Sequence, residues 1–183
     1  IFSFKNKSSD IFFIVKYNNI YDSLKKNLVN NKKIKIIKKR ILYKNRNFIE
    51  SDNRISLIQD TFDRSYYMEF LKSYDINLCP SKYEGFGLTI LEGLHSRLAS
   101  LTIDQPPMNE TVIDSYNGIC IRNHLVDKIR SQGIYDVDRQ DFYNQFKKLV
   151  NNEEKIMSMK EKTKDVVIKN INNFNDYFKN EIK

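Results

Sequence analysis

Strand-like and helix-like segments alternate along this chain, which predicts an α/β protein: a Rossmann-like parallel sheet with helices on both faces. Three observations carry that expectation. Short apolar runs suited to buried strands are followed by stretches with apolar residues at helical spacing. One of these joints, residues 75–92, passes from a strand pattern through a Gly-Phe-Gly turn straight into a helical pattern. In open parallel sheets that arrangement places a ligand at the carboxyl edge of a strand. The length, 183 residues, suits a single domain with one sizeable core.

Residues 11–16 read as a buried strand, and residues 21–28 as a helix with Tyr21, Leu24 and Leu28 on one face. Residues 34–42 mix β-branched residues with a basic periodicity and fit either element. Residues 54–59 form a strand. Residues 64–73 form a helix that stacks Tyr67, Phe70 and Leu71, capped by Asp63. The run 75–79 is short and apolar without alternation, so it belongs in the middle of the sheet. The helix after the glycines carries Leu91, Leu94 and Leu98 on a core stripe and leaves Glu92 off it. Residues 138–150 and 153–170 are two amphipathic helices. Residues 171–183 follow as a terminal helix or tail, with Phe174, Tyr177 and Phe178 exposed unless something covers them.

Composition narrows the classes. No apolar run approaches the roughly 20 residues of a membrane helix. Cys79 and Cys120 form no metal spacing and sit in apolar strand-like surroundings, so free thiols in a reducing compartment are expected. Charge is uneven. Residues 1–50 hold 13 Lys and Arg against 3 Asp and Glu, densest at residues 31–40. Residues 25–46 could meet a polyanion or an anionic membrane. The 21 asparagines and the lysine excess instead suggest a compositional bias that decorates solvated faces. No RNA-binding aromatic motif, helix-turn-helix or zinc spacing is present, and no nucleic-acid partner is expected.

The stretch 80–92 carries the chemistry. Glu84 and Glu92 bracket the Gly85-Phe86-Gly87 turn. Glycines let the backbone approach a ligand that a Cβ would hold away. The amides of Leu88, Thr89 and Ile90, at the helix start, are placed to cradle a phosphate. Two carboxylates beside such a helix end suit sugar hydroxyls, for which they are strong charge-assisted acceptors.

The pattern Glu84-Gly-Phe-Gly-Leu-x-x-x-Glu92 resembles the paired-glutamate motif of GT-B-fold retaining glycosyltransferases, the glycosyltransferase group 1 family. Residues 100–104 resemble that family's next strand. Pro106-Pro-Met-Asn-Glu110 falls where its Gly-Gly-x-Pro-Glu turn lies, and Asp114-Ser-Tyr-Asn-Gly118 resembles its Asp-Gly-x-Asn-Gly turn. The resemblance runs colinearly over residues 11–121.

It implies the C-terminal, nucleotide-sugar-binding half of a GT-B fold. Glu84 is then the catalytic residue, beside the donor sugar, stabilising positive charge at the anomeric carbon. Gly85, Phe86 and Gly87 contact the sugar, and Leu88 and Thr89 meet the phosphates. Glu92 accepts from the ribose hydroxyls, and the loop of Asp60, Thr61 and Phe62 packs against the base. Glu110 either serves the donor or caps the following helix. The terminal segment 171–183 corresponds to a helix that crosses back to the other half of such enzymes.

Departures from the pattern are local. Arg97 and Ala99 stand where the family has Gly and Pro. Pro106 and Pro107 replace two glycines, which stiffens the backbone and removes two amide donors. The family's opening strand and its diphosphate-gripping Arg and Lys would lie before Ile1, so the chain reads as a domain truncated at its N-terminal edge. Lys16 is a weak replacement cation. His95, one turn after Glu92, and His124 read as structural and surface residues.

The resulting expectation is the donor-binding domain of a retaining, hexosyltransferase-like glycosyltransferase. It would be metal- and cofactor-independent, at work in the cytoplasm or on the cytoplasmic face of a membrane. An acceptor-binding domain, in cis or in a partner chain, would complete it. The alternative is a non-catalytic nucleotide-sugar-binding or scaffold domain of the same fold.

Overall fold

The computed structural model describes residues 62–181 and four short strands: β1 (Phe2–Phe4), β2 (Ile11–Phe13), β3 (Ile36–Ile37) and β4 (Leu57–Ile58). Helix α1 (Arg64–Lys72), β5 (Ile76–Cys79), α2 (Leu88–His95), β6 (Ala99–Ile103) and α3 (Met108–Thr111) follow. After them come β7 (Gly118–Ile121), β8 (Asn123–Ile129), β9 (Gln132–Val137), α4 (Arg139–Val150) and α5 (Glu153–Glu181).

Strands β5, β6 and β7 run parallel, pairing Ile76 with Ala99, Cys79 with Thr102, and Leu101 with Ile119. Every residue of β5 and β6 is buried, as befits strands covered on both faces. The five-stranded order β2-β1-β5-β6-β7 puts β5 in the centre, as expected. Beyond β5 the sheet departs from expectation: β1 runs antiparallel to both β5 and β2. The link over residues 5–10 is too short for the crossover that parallel neighbours need, so the pair can only double back. Strands β3 and β4 pair parallel in a sheet of their own. The expected helix at 21–28 and the rest of strands 11–16 and 54–59 lie outside the described residues.

Helix α2 packs on β5 and β6, and α4 on β7, sealing a core of Ile90, Leu94, Leu101, Ile119, Phe142 and Phe146 with their neighbours. Leu71, Tyr74 and Leu98 form a smaller cluster with the aromatics of α1. The expected Asp63 cap forms, and Asp138 caps α4 in the same way. Asp63 accepts from the Tyr66 amide at 2.9 Å, and Asp138 from the Gln140 and Asp141 amides at 3.0 and 2.9 Å.

Two expectations need correction. The stripe of α2 is Ile90, Gly93 and Leu94, with Leu91 only half-buried. Leu98 is buried but lies beyond the helix, because the chain turns at Arg97, whose φ is 58°. There the Leu98 amide donates to Gly93 O and the Arg97 amide to Leu94 O, both at 2.9 Å, closing the helix as a glycine would. The second correction concerns 153–182: the two predicted pieces are one continuous helix of 29 residues. No Gly or Pro interrupts that stretch. Its N-terminal part buries Ile156, Met159, Thr163 and Val166 at helical spacing, and Lys160 ion-pairs with Asp75 at the foot of β5. Beyond them Phe174, Tyr177 and Phe178 are exposed, as expected. Among the described residues no helix is long and apolar enough to cross a membrane.

Candidate functional site

The loop between β5 and α2 opens at the carboxyl end of the central strand. The Ser81 amide turns back to Cys79 O at 2.8 Å, and the fully buried Ser81 hydroxyl donates to Glu84 Oε1 at 2.6 Å. Glu84 is thereby held from the core side while it lines an open cleft of about 520 Å³. Residues 82–86 form one wall of that cleft. Gln105, the Pro106–Pro107 pair, Met108 and Glu110 form a second. The third is built by Gln132, Gly133 and Tyr135 of β9. Phe86 is 72% exposed, and no atom lies within 4 Å of where a Cβ on Gly85 would be, so the turn presents bare backbone and an aromatic face.

Gly87 is the N-cap of α2 with φ 67°, a left-handed conformation that a residue with a Cβ adopts at a cost. From there the chain enters the helix at Leu88, which is exposed, and Thr89. The Ile90 amide, in the first turn of α2, already has a backbone acceptor. It donates to Gly87 O at 2.8 Å, and the Leu91 amide shares that acceptor at 3.1 Å. The helix is held tightly to the sheet: Asn77 Nδ2 donates to Thr89 O at 3.0 Å, and a Cβ on Gly93 would sit 2.2 Å from that same amide nitrogen. Only glycine lets α2 approach β5 this closely.

Glu92, one turn into α2, is not part of the cleft lining. Its Oε1 accepts from Arg64 Nη1 at 3.1 Å, at the start of α1, where Arg64 is itself largely exposed. Tyr67 of α1 sits nearby, its phenol pKa pushed up by burial and then by the Glu92 charge. Sequence reasoning missed both Ser81 and Arg64, and each lies within a segment already identified. What was not legible is which way their side chains turn.

Phe62 packs its ring on Tyr66 at 5.0 Å and Phe70 at 5.3 Å, ahead of α1, while Asp60 and Thr61 lie outside the described residues. Glu110 is exposed and belongs to α3 itself, so it caps no following helix. His95 and His124 are exposed. Cys79 and Cys120 are free thiols, and burial, then Asp114 and Asp104, push the Cys120 pKa up to about 12. Among the described residues no three His, Cys, Asp or Glu side chains gather in a metal-holding group. In the turn before β7, Asp114 Oδ1 accepts from the Cys120 amide at 2.8 Å. Asn117 accepts from the Ile113 amide at 2.7 Å and donates to Thr111 O. Ser115 takes φ 60° where the resembling motif has glycine.

The fold and motif have counterparts. Residues 52–148 match the family described as "Glycosyl transferases group 1", more than half of the chain. No curated protein is similar enough in sequence to count as a match. Among solved structures, the C-terminal domain of the glycosyl transferase group 1 family protein LpcC from Francisella tularensis superposes with a TM-score of 0.63 at 16% identity. That alignment covers 86% of this chain and 84% of that one. TarM from S. aureus, solved in complex with Fondaparinux, alpha-GlcNAc-glycerol and UDP, gives a TM-score of 0.66 at 19% identity over 91% of this chain and 34% of its own. The pneumococcal O-GlcNAc transferase GtfA, in complex with UDP and GlcNAc, gives 0.59 at 17% identity over 85% and 31%. The chain thus spans about a third of the length of TarM and GtfA but most of the isolated LpcC domain. At these identities the likeness establishes the fold, that of a GT-B C-terminal domain. With a family match extending from before α1 to within α4, the chain belongs to the glycosyl transferases group 1 family.

Proposed function

We propose that this chain is the donor-binding domain of a retaining glycosyltransferase that takes a hexose-like sugar from a nucleoside diphosphate. The observation that carries the reading is Glu84. A buried serine hydroxyl fixes this carboxylate at the mouth of a cleft whose near wall is bare glycine backbone. A carboxylate so placed stabilises positive charge developing at an anomeric carbon, without having to reorganise as that charge appears. Gly85, Phe86 and Gly87 meet the sugar. Leu88 and Thr89, in the first turn of α2, meet the phosphates, supported by the helix dipole. Glu92 exchanges part of its contact with Arg64 for the ribose hydroxyls, and Phe62 lies toward the base.

TarM and GtfA, which this chain spans by a third, were solved with UDP. An acceptor-holding part, in cis or in a partner chain, would complete the reaction here, because positioning of the acceptor is worth about 7–11 kcal/mol of barrier.

Titration with UDP and GDP tests the reading. The chain should bind one of them weakly, and Glu92→Ala should weaken that binding more than Glu84→Ala. In the completed enzyme, Glu84→Gln should lower kcat by about 10²–10³ with little change in nucleotide affinity. Nucleotide affinity indifferent to both glutamates would remove these roles, leaving a scaffold domain of the same fold.

A further inference from the structure

We propose that the β8–β9 hairpin is the specificity-determining wall of the cleft, and that it makes the sugar end select an uncharged, hydroxyl-bearing sugar over an anionic one. The inference rests on the donor-site reading above and goes further, to the sugar itself.

The hairpin is attached to the motif loop at two points. The Tyr135 amide donates to Lys82 O at 2.9 Å, and Lys82 Nζ pairs with Asp136 Oδ2 at 2.9 Å. A two-stranded hairpin is marginal by itself in water, so these tethers, and the packing of Tyr135 against the main core, determine where it stands. They place it against the loop that carries Glu84. Gln132, Gly133 and Tyr135 then line the same cleft as Gly85 and Phe86. The Tyr135 ring crosses Gly133 so closely that a Cβ there would lie 2.7 Å from it, which keeps this wall thin.

Charge decides what the wall selects. The carboxylates in the lining are Glu84 and Glu110, and its one lysine, Lys82, is already paired with Asp136. Gln105 and Gln132 add neutral amides that both donate and accept. Carboxylates and amides suit sugar hydroxyls, and the faces of Phe86 and Tyr135 suit the C–H surface of a pyranose. A sugar carboxylate would meet like charge in a partly desolvated cleft with no uncommitted cation among the lining residues. Asp136 matters twice here, because it both docks the hairpin and neutralises Lys82.

Calorimetric titration of the chain with UDP, GDP, UDP-glucose and UDP-glucuronate tests the proposal. UDP-glucose should bind about tenfold more tightly than UDP-glucuronate, the worth of one unfavourable charge contact. Gln132→Arg, at an exposed position where folding is not at stake, should bring that ratio close to one, and Asp136→Asn, which releases Lys82, should shift it the same way. A ratio left unchanged by Gln132→Arg while both donors still bind would overturn the hairpin's role. A chain that bound neither UDP nor GDP would instead overturn the donor-site reading beneath it. The two failures are distinguishable because nucleotide affinity does not depend on the sugar wall.

Discussion

Glu84 and Glu92 belong to one short motif, yet the fold gives them different surroundings. Glu84 sits in a loop, hydrogen-bonded from below by a buried serine, with its cleft open in front. Glu92 sits on a helix, outside that cleft, and its partner is a largely exposed arginine from another helix. A carboxylate held by a buried neutral donor keeps its position, which is what the proposed stabilisation of a transition state asks of it. One paired with an exposed surface cation gains little from the pair and can exchange it for a ligand hydroxyl, as the proposed binding role asks. The same residue type is given two environments because Glu84 stays in the loop that follows β5 while α2 carries Glu92 away from it.

That contrast can be broken at its root. Gly93→Leu would drive a side chain into Asn77 and lift α2 off β5, displacing Glu92 while leaving Ser81 and Glu84 on the strand side. Overpacking of this kind costs about 1–3 kcal/mol. A chain of this size should then melt about 2–4 °C lower for each kcal/mol, readable by thermal denaturation. An unchanged melting temperature would mean that α2 is not seated as described. Ser81→Ala should come next. It removes a buried hydrogen bond to a charged group, worth about 1.5 kcal/mol, and urea denaturation should show that loss. Arg64→Ala should be smaller still, less than about 1 kcal/mol, since its partner contact is exposed. A loss as large as that for Ser81→Ala would erase the distinction between the two carboxylates.

The smallest effect concerns pH. Burial alone would raise the Asp136 pKa, but the Lys82 hydrogen bond and charge, the Val137 amide and Arg139 together hold it below the ordinary 3.8. A carboxyl depressed in the folded state contributes stability that is complete above the unfolded value and is lost as pH falls through the folded one. The protection factor of the Tyr135 amide should therefore fall only below about pH 4, while the amides of β5 and β6 stay protected. Hairpin and core amides loosening together would show that the hairpin is not an independently tethered unit.

Much of this was legible along the chain. The short, apolar-rich stretch at Ile76–Cys79 announces a central strand, Asp63 announces a helix start, and the glycine-flanked Phe86 announces the candidate site. The hairpin was not legible. Its turn at Arg130 and Ser131 lacks the Asn-Gly or Asp-Gly signal, and β8 is largely exposed, so no apolar face marks it. Strand β1 was not anticipated, because three residues at Phe2–Phe4 are too few to show a period. Arg97 and Ser115 show the opposite lesson. Each adopts a left-handed backbone where the resembling motifs carry glycine, at a cost of about 1–2 kcal/mol that the surrounding turns over-determine.

The sequence by itself therefore determined the family, the α/β class, the central strand, the Asp63 cap and the identity of the paired glutamates. Each of these depends on residues close together in the chain, where periodicity, capping and glycine placement act locally. Tertiary structure alone decided that Ser81 supports Glu84, that Arg64 meets Glu92 across 28 residues, and that Lys82 meets Asp136 across 54. The last two are contacts between side chains far apart in sequence, and no local pattern encodes which of many solvated charges will meet. It also decided that a hairpin far downstream closes the cleft in front of the catalytic candidate, because only the packing of β9 against the motif loop brings those backbones within hydrogen-bonding distance.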